Sequence, residues 1–291
     1  MDGALTTDEI PENGAIIMAA PNGATKTKRD HPQLPITPDE IAAEAKRCLR
    51  SGASVFHMHV RDETGAHSLD PLHYEKALEA VHQKIGDQMI VQITTEAAGV
   101  YETDAQMEVV RAIKPEAASL AVKEFVRAPE DLDAFAEFLN EVAALNVWPQ
   151  FILYDPDDLK ILKDLRAADK LPFAEPYLLF VLGRYTLGQV SEPSAVEPFR
   201  EALQDFGPAR WSLCAFGRTE SICAKHALEN GGDVRVGFEN NMMLPDGQIA
   251  RSTSELVSLA AESALVKGRV RLSATQIRSM ITNGGLAGAR L

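Results

Sequence analysis

The chain is expected to fold as a single-domain α/β protein, a TIM (β/α)8 barrel, and three observations carry that expectation. Eight short apolar runs alternate strictly with eight amphipathic segments. Such alternation builds parallel βαβ units, and eight of them close a barrel. A length of 291 residues suits one such barrel. The first strand-to-helix turn reads Asn22-Gly23-Ala24-Thr25-Lys26, without the Gly-x-Gly-x-x-Gly spacing that marks an open doubly wound sheet.

The elements follow in order. Residues 15–20 (AIIMAA) form a buried strand. Thr37 caps the first helix with Pro38 at its first position, and that helix runs to about residue 50 before Ser51-Gly52. Residues 53–60 (ASVFHMHV) are rich in β-branched and aromatic side chains and read as the second strand. A helix over 71–84, a strand over 89–95, a helix over 104–113 and a strand over 117–122 come next. They are followed by a helix over 129–145, a strand over 147–153, a helix over 156–167 and a strand over 177–182. A helix over 192–206, a strand over 210–215, a helix over 219–230, a strand over 233–238 and a helix over 252–267 complete the series. No linker or internal repeat interrupts it. One domain is therefore expected over 1–291, with a short extension from about 272 that holds a helix and a Gly-rich end suited to subunit packing.

Composition narrows the function. With 29 Lys and Arg against 42 Asp and Glu, the formal charge is −13. Nucleic acid and anionic membrane surfaces both call for a basic face, so neither is an expected partner. No apolar stretch reaches the roughly 18 residues of a membrane helix. The first 14 residues carry Asp2, Asp8, Glu9 and Glu12 and lack the basic start of a signal peptide. Cys48, Cys214 and Cys223 are too few and too scattered for a disulfide framework or a cysteine zinc site. A cytoplasmic location is expected.

Three clusters carry the chemistry. His57-Met58-His59 lies at the C-terminal end of the second strand, where barrel enzymes hold catalytic groups. Residues two apart on a strand share a face, so both imidazoles can bind one divalent metal or, alternatively, serve as bonded core histidines. In Arg235-Val236-Gly237-Phe238-Glu239-Asn240-Asn241, strand alternation puts Arg235, Gly237 and Glu239 on one face. Glu239 is then either the third ligand of an open His₂Glu site or the partner of Arg235. In Gln92-Ile93-Thr94-Thr95-Glu96, Thr94 and Glu96 share a face; the hydroxyls of Thr94 and Thr95 are candidates for holding a substrate carboxylate or for capping the next helix. Lys26, Lys28 and Arg29 form a cationic loop able to steer an anion. His31, His67, His73, His82 and His226 have no partner at ligand spacing and read as loop or helix-surface residues.

These motifs, with Pro32-Gln33-Leu34-Pro35-Ile36-Thr37-Pro38-Asp39-Glu40 and Phe180-Val181-Leu182-Gly183, give the chain a nearly full-length resemblance to the β-keto acid cleavage enzymes. The resemblance implies a TIM barrel, a homotetramer and Zn²⁺ (or another divalent metal) held by His57, His59 and Glu239. It implies an exchange in which a β-keto acid and acetyl-CoA become acetoacetate and a new acyl-CoA. Arg235 falls at the family's catalytic arginine, and Thr94 and Ser119 fall at two substrate-holding hydroxyls. Thr25 and Asn240 stand where the family has carboxylates, and Ile152 replaces an acidic residue near the end of strand five. Asn240 cannot accept a proton at neutral pH, so either Glu96 is the replacement base or it points to solvent and the metal acidifies C2 enough for water to suffice. The Lys26, Lys28 and Arg29 loop is either a solvated surface loop or a contact for CoA phosphates. The Asn240 change also leaves open a metal-dependent aldolase or hydrolase of a related oxo acid, or a weakened, metal-stabilised binding protein.

Overall fold

The computed structural model describes residues 9–283. Eight parallel strands close the barrel: β1 (Ile17–Ala19), β2 (Val55–Met58), β3 (Ile90–Thr94), β4 (Ala117–Ala121), β5 (Trp148–Leu153), β6 (Tyr177–Leu182), β7 (Arg210–Ala215) and β8 (Asp233–Val236). Each pairs with its sequence neighbour, and β8 closes on β1 through Val234 opposite Ile17 and Val236 opposite Ala19. The chain is a TIM barrel, as its alternation predicts.

The helices follow where their punctuation puts them. α1 (Pro38–Arg50) starts at a capping box in which the Glu40 amide donates to Thr37 Oγ1 at 3.3 Å and the Thr37 amide to Glu40 Oε2 at 3.2 Å. α2 (Pro71–Ile85) is capped by Asp70. α3 (Thr103–Ile113), α4 (Leu132–Ala144), α5 (Leu159–Ala167), α6 (Glu197–Leu203), α7 (Glu220–Glu229), α8 (Thr253–Val266) and α9 (Ala274–Asn283) complete the set. The expected starts at 129, 156 and 192 are tight 3₁₀ turns leading into α4, α5 and α6. Asp131 and Asp158 explain two of these, because each carboxylate takes backbone amides from just upstream and winds that first turn closely. Val122 is not the last residue of β4; it opens a one-turn helix, Val122–Phe125.

The helices bury their apolar faces on the outside of the barrel. Inside, the lower end is filled by Ile16, Met18, Val55, Ile90, Trp148 and Tyr177, and Leu272 and Ile277 of the C-terminal segment pack on them. The expected C-terminal helix therefore exists as α9, and it closes the barrel floor, the end opposite the mouth. The Gly-rich end assigned to subunit packing lies outside the described residues. No helix among the described residues is long and apolar enough to cross a membrane.

Candidate active site

The functional side chains gather at the C-terminal ends of the strands. β2 delivers His57 and, one residue past its end, His59; both are buried. Their Nε2 atoms lie 3.2 Å apart, and Glu239 Oε2 lies 3.3 Å from one and 3.4 Å from the other. Metal–nitrogen bonds of about 2.0–2.1 Å put two donors about 3.3 Å apart on a tetrahedral ion. The three groups fit one metal ion without rearrangement, and they are the His/His/Glu cluster able to hold one. Glu239 Oε2 is buried with no hydrogen bond of its own, as suits a ligating oxygen.

Neighbouring residues aim these ligands. His57 Nδ1 donates to Gln92 Oε1 at 2.8 Å, which turns its Nε2 lone pair to the cluster. Asn22 clamps the His59 backbone from both sides, Oδ1 accepting its N–H and Nδ2 donating to its carbonyl. Glu239 arrives by a route that strand alternation does not describe. β8 ends at Val236, and the chain turns tightly there, the Asn240 amide donating to the Gly237 carbonyl at 2.8 Å. Gly237 has φ 140°, and a Cβ there would meet the Ala20 carbonyl oxygen at 2.4 Å. The turn sets Arg235 Nη2 3.0 Å from Glu239 Oε1. Glu239 thus turns one oxygen to Arg235 and the other to the histidines, so the ion pair with Arg235 leaves an oxygen placed where it could bind a metal. Burial alone pushes the Glu239 carboxyl up, but Arg235 and the two imidazoles outweigh it and hold it well below the ordinary range. Burial pushes His59 well down, toward the neutral, ligating form.

A cavity of about 200 Å³ opens beside this cluster and is lined by Thr25, Thr94, Glu96, Ser119 and Arg235 among others. The buried Ser119 hydroxyl has no partner. Thr94 Oγ1 accepts the Glu96 amide at 3.0 Å, which leaves its own hydrogen to donate. Glu96 Oε2 stands 3.9 Å from His59 Nε2, and Oε1 is 3.3 Å from Arg184 Nη2. Burial first, and the neighbouring Glu239 second, push its carboxyl up to about 7 against the opposing pull of Arg184.

Other expected site residues are not brought here. Thr95 turns away, and its hydroxyl donates to the Ser119 carbonyl at 2.7 Å. Asn240 lies behind the mouth: its amide nitrogen faces the Arg235 carbonyl at 3.1 Å and Glu220 Oε1 at 3.4 Å. The tight turn after Gly237 rotates position 240 out of the cavity, so the side chain there is held by α7. The cationic loop is dispersed as well. Lys28 pairs with Glu40 at 2.7 Å and Arg29 is exposed; only Lys26 reaches the cavity, with Nζ on the Phe238 and Glu239 carbonyls at 2.7 and 2.6 Å. His31 is not a surface residue, for it is buried against Phe238. His67 packs beside His59, with Nε2 on the Glu96 carbonyl at 2.8 Å.

Residue-type patterns miss Arg184, Tyr154 and Glu220. Tyr154 follows directly on β5 and Arg184 stands two residues past the end of β6, and their place just past a strand end is the one available signal. Glu220 starts α7 and accepts the Gly237 amide at 3.0 Å, securing the turn that carries Glu239. Burial pushes its carboxyl up to about 8, opposed by the bonds from Gly237, Asn241 and Asn240.

A family model described as beta-keto acid cleavage enzyme matches residues 14–282. A Fusobacterium nucleatum subsp. nucleatum protein named 3-keto-5-aminohexanoate cleavage enzyme is 30% identical over 277 residues, covering 92% of this chain and 97% of that protein. The 3-oxoadipate:acetyl-CoA acetyltransferase of Cupriavidus necator is 26% identical over 274 residues, covering 91% and 94%. Among solved structures, the binary complex of ObcA with oxaloacetate matches with a TM-score of 0.67 at 21% identity, over 86% of this chain and 67% of that one. This last likeness is one of fold.

Proposed function

Because the chain belongs to the β-keto acid cleavage enzyme family, we propose that it cleaves a β-keto acid with acetyl-CoA, yielding acetoacetate and a new acyl-CoA. The observation that carries this reading is the convergence of His57, His59 and Glu239 beside Arg235 and the unpartnered Ser119 hydroxyl in one cavity. We assign the metal as zinc, from a donor set of two imidazoles and a carboxylate at tetrahedral spacing. Bound there, the ion supplies Lewis acidity at the keto oxygen. The homotetramer, which rests on the family resemblance, and the cytoplasmic location, which rests on the three scattered free cysteines, are part of the proposal.

Thr94 and Ser119 donate to the substrate carboxylate and fix C2 toward Glu96. Glu96 removes the C2 proton, and the carbanion adds to the acetyl thioester, expelling CoA as thiolate. The thiolate adds to the original keto carbon, the C2–C3 bond breaks, and Glu96 returns its proton to C2 of the departing acetoacetate. Arg235 faces the negative charge that builds up along this path. The Asn240 change does not remove the base, because Glu96 and Glu239 are the carboxylates lining the cavity. Thr25, exposed at the rim, contributes a hydroxyl to substrate entry.

The test is mass detection of the new acyl-CoA from a panel of β-keto acids. Formation that requires acetyl-CoA supports the reading; cleavage at the same rate without acetyl-CoA favours an aldolase or hydrolase.

A further inference from the structure

The cavity mouth is chemically divided by strand. The β8 end, the first loop and β2 bring Arg235, Glu239, Lys26 and the His57 imidazole. β3 and β4 bring the hydroxyls of Thr94 and Ser119, and Glu96 follows just past the end of β3. The remaining arc is mainly apolar, formed by Ala121, Ile152, Tyr154, Val181 and Phe216, which pack on one another as a single cluster; Arg184 and Gln189 also line the cavity. Ile152 and Val181 are 7% and 4% exposed, so nearly all the surface they offer is the face toward the cavity.

The charges nearest that arc are already engaged. The Arg184 guanidinium is on Glu96 and lies over the Phe216 ring, 5.2 Å from its centroid. Lys26 is spent on two carbonyls. The Tyr154 ring carries Lys123 Nζ 4.2 Å from its centroid, so its π-face is taken by a cation. A charged substituent pressed against this wall would lose its water and meet only cations that already have partners, Arg184 on Glu96, Lys26 on two carbonyls and Arg235 on Glu239. From this division, and resting on the proposed β-keto acid chemistry, we propose that the substrate is a β-keto acid whose side chain beyond C3 is short, uncharged and apolar, seated on Ile152, Val181 and Phe216. The carboxylate then lies at the hydroxyl arc and the keto oxygen at the metal cluster. A cavity of about 200 Å³ sets the limit on length.

The test compares 3-oxohexanoate with two charged counterparts, 3-oxoadipate and 5-amino-3-oxohexanoate, on the metal-loaded protein, by calorimetric binding and by acyl-CoA formation. The expected result is a preference of at least about 100-fold for 3-oxohexanoate in both measurements. Equal or tighter binding of either charged acid, or no measurable binding of 3-oxohexanoate, overturns the inference. Binding in the expected order with no acyl-CoA formed leaves the inference standing and removes the proposed reaction. Ile152→Glu should move the binding preference toward the 5-amino acid by at least about 10-fold. Ile152→Ala, which only enlarges the wall, should shift the optimum to a longer chain such as 3-oxooctanoate. An unchanged preference in both variants places the side chain elsewhere and overturns the assignment.

Discussion

The floor and the mouth of this barrel are built by the same eight strands and treat buried polar groups in opposite ways. At the floor, Asp233 is fully used. Arg210 donates to it twice, at 2.6 and 2.9 Å, the Tyr177 hydroxyl at 3.0 Å and the Ile16 amide at 2.8 Å. At the mouth, His59 Nδ1, Ser119 Oγ, Arg235 Nε and Glu239 Oε2 are buried without a hydrogen bond. The floor also leaves the Trp148 indole nitrogen alone, but among the described residues no charged group there is short of a partner. Leaving a buried polar group unpaired costs stability. Unpaired atoms concentrated at one end, beside a cavity, therefore mark where a ligand completes the structure. The floor holds the barrel closed; the mouth is arranged for what binds there.

That contrast breaks if the two ends respond alike to substitution. The largest effect belongs to the mouth. His57→Ala, His59→Ala or Glu239→Ala should each abolish stoichiometric metal binding and lower kcat/KM by about 10³-fold or more. In the metal-free protein the two histidine variants should change urea stability by no more than about 1 kcal/mol, whereas Glu239→Ala also strands the buried Arg235 charge and should cost more. Full metal occupancy in all three variants would remove the assignment. Asp233→Ala should do the reverse. It strands the Arg210 charge and the Ile16 amide in a buried place and should cost about 3–5 kcal/mol of stability, while kcat/KM per folded molecule stays unchanged. A fully stable variant would mean that the floor network is dispensable.

Smaller changes sharpen the picture. Arg235→Lys keeps the charge and loses the planar fork that reaches both Glu239 and the cavity; kcat should fall by about 10²-fold. Near-native turnover would reduce Arg235 to a structural partner of Glu239. The smallest effect is a pH slope in the metal-free protein. Glu96 has its carboxyl raised from 4.5 to about 7, so between these values the folded chain holds a proton that the unfolded chain has released. Its share of the stability should accordingly be lost as pH rises through that window, by on the order of 1–3 kcal/mol, and Glu96→Gln should reduce the slope, leaving the part that belongs to the raised Glu220 carboxyl. In the loaded enzyme a bound cation lowers this pKa, so the acidic limb of kcat/KM should sit below about 7 and disappear in Glu96→Gln. An unaltered limb would move the base elsewhere.

The parts of this arrangement that repeat are the parts the sequence makes legible. The barrel follows from counting, since each strand is a short apolar run and the amphipathic segments between them are punctuated, as by the caps Thr37 and Asp70. His57 and His59 are readable because the period of a strand is two. Glu239 is found for an incomplete reason: alternation places it on the Arg235 face, whereas the strand has ended and the turn after Gly237 brings it back. The same turn swings Asn240 to Glu220, which no periodicity announces. Lys28 and Arg29 look like neighbours of Lys26, but the first loop folds so that only Lys26 points inward. Arg184 and Tyr154 stand on loops whose course is set by packing against other strand ends, and nothing local in the sequence encodes that.

The central claim is that the mouth exchanges acyl groups between a β-keto acid and acetyl-CoA. It is tested most directly by following acetyl-CoA labelled with ¹³C at its carbonyl, with an unlabelled β-keto acid as co-substrate. The mechanism places that carbonyl at C3 of acetoacetate and leaves the new acyl-CoA unlabelled. Label found in the new acyl-CoA, or β-keto acid consumed with no labelled acetoacetate formed, would contradict it.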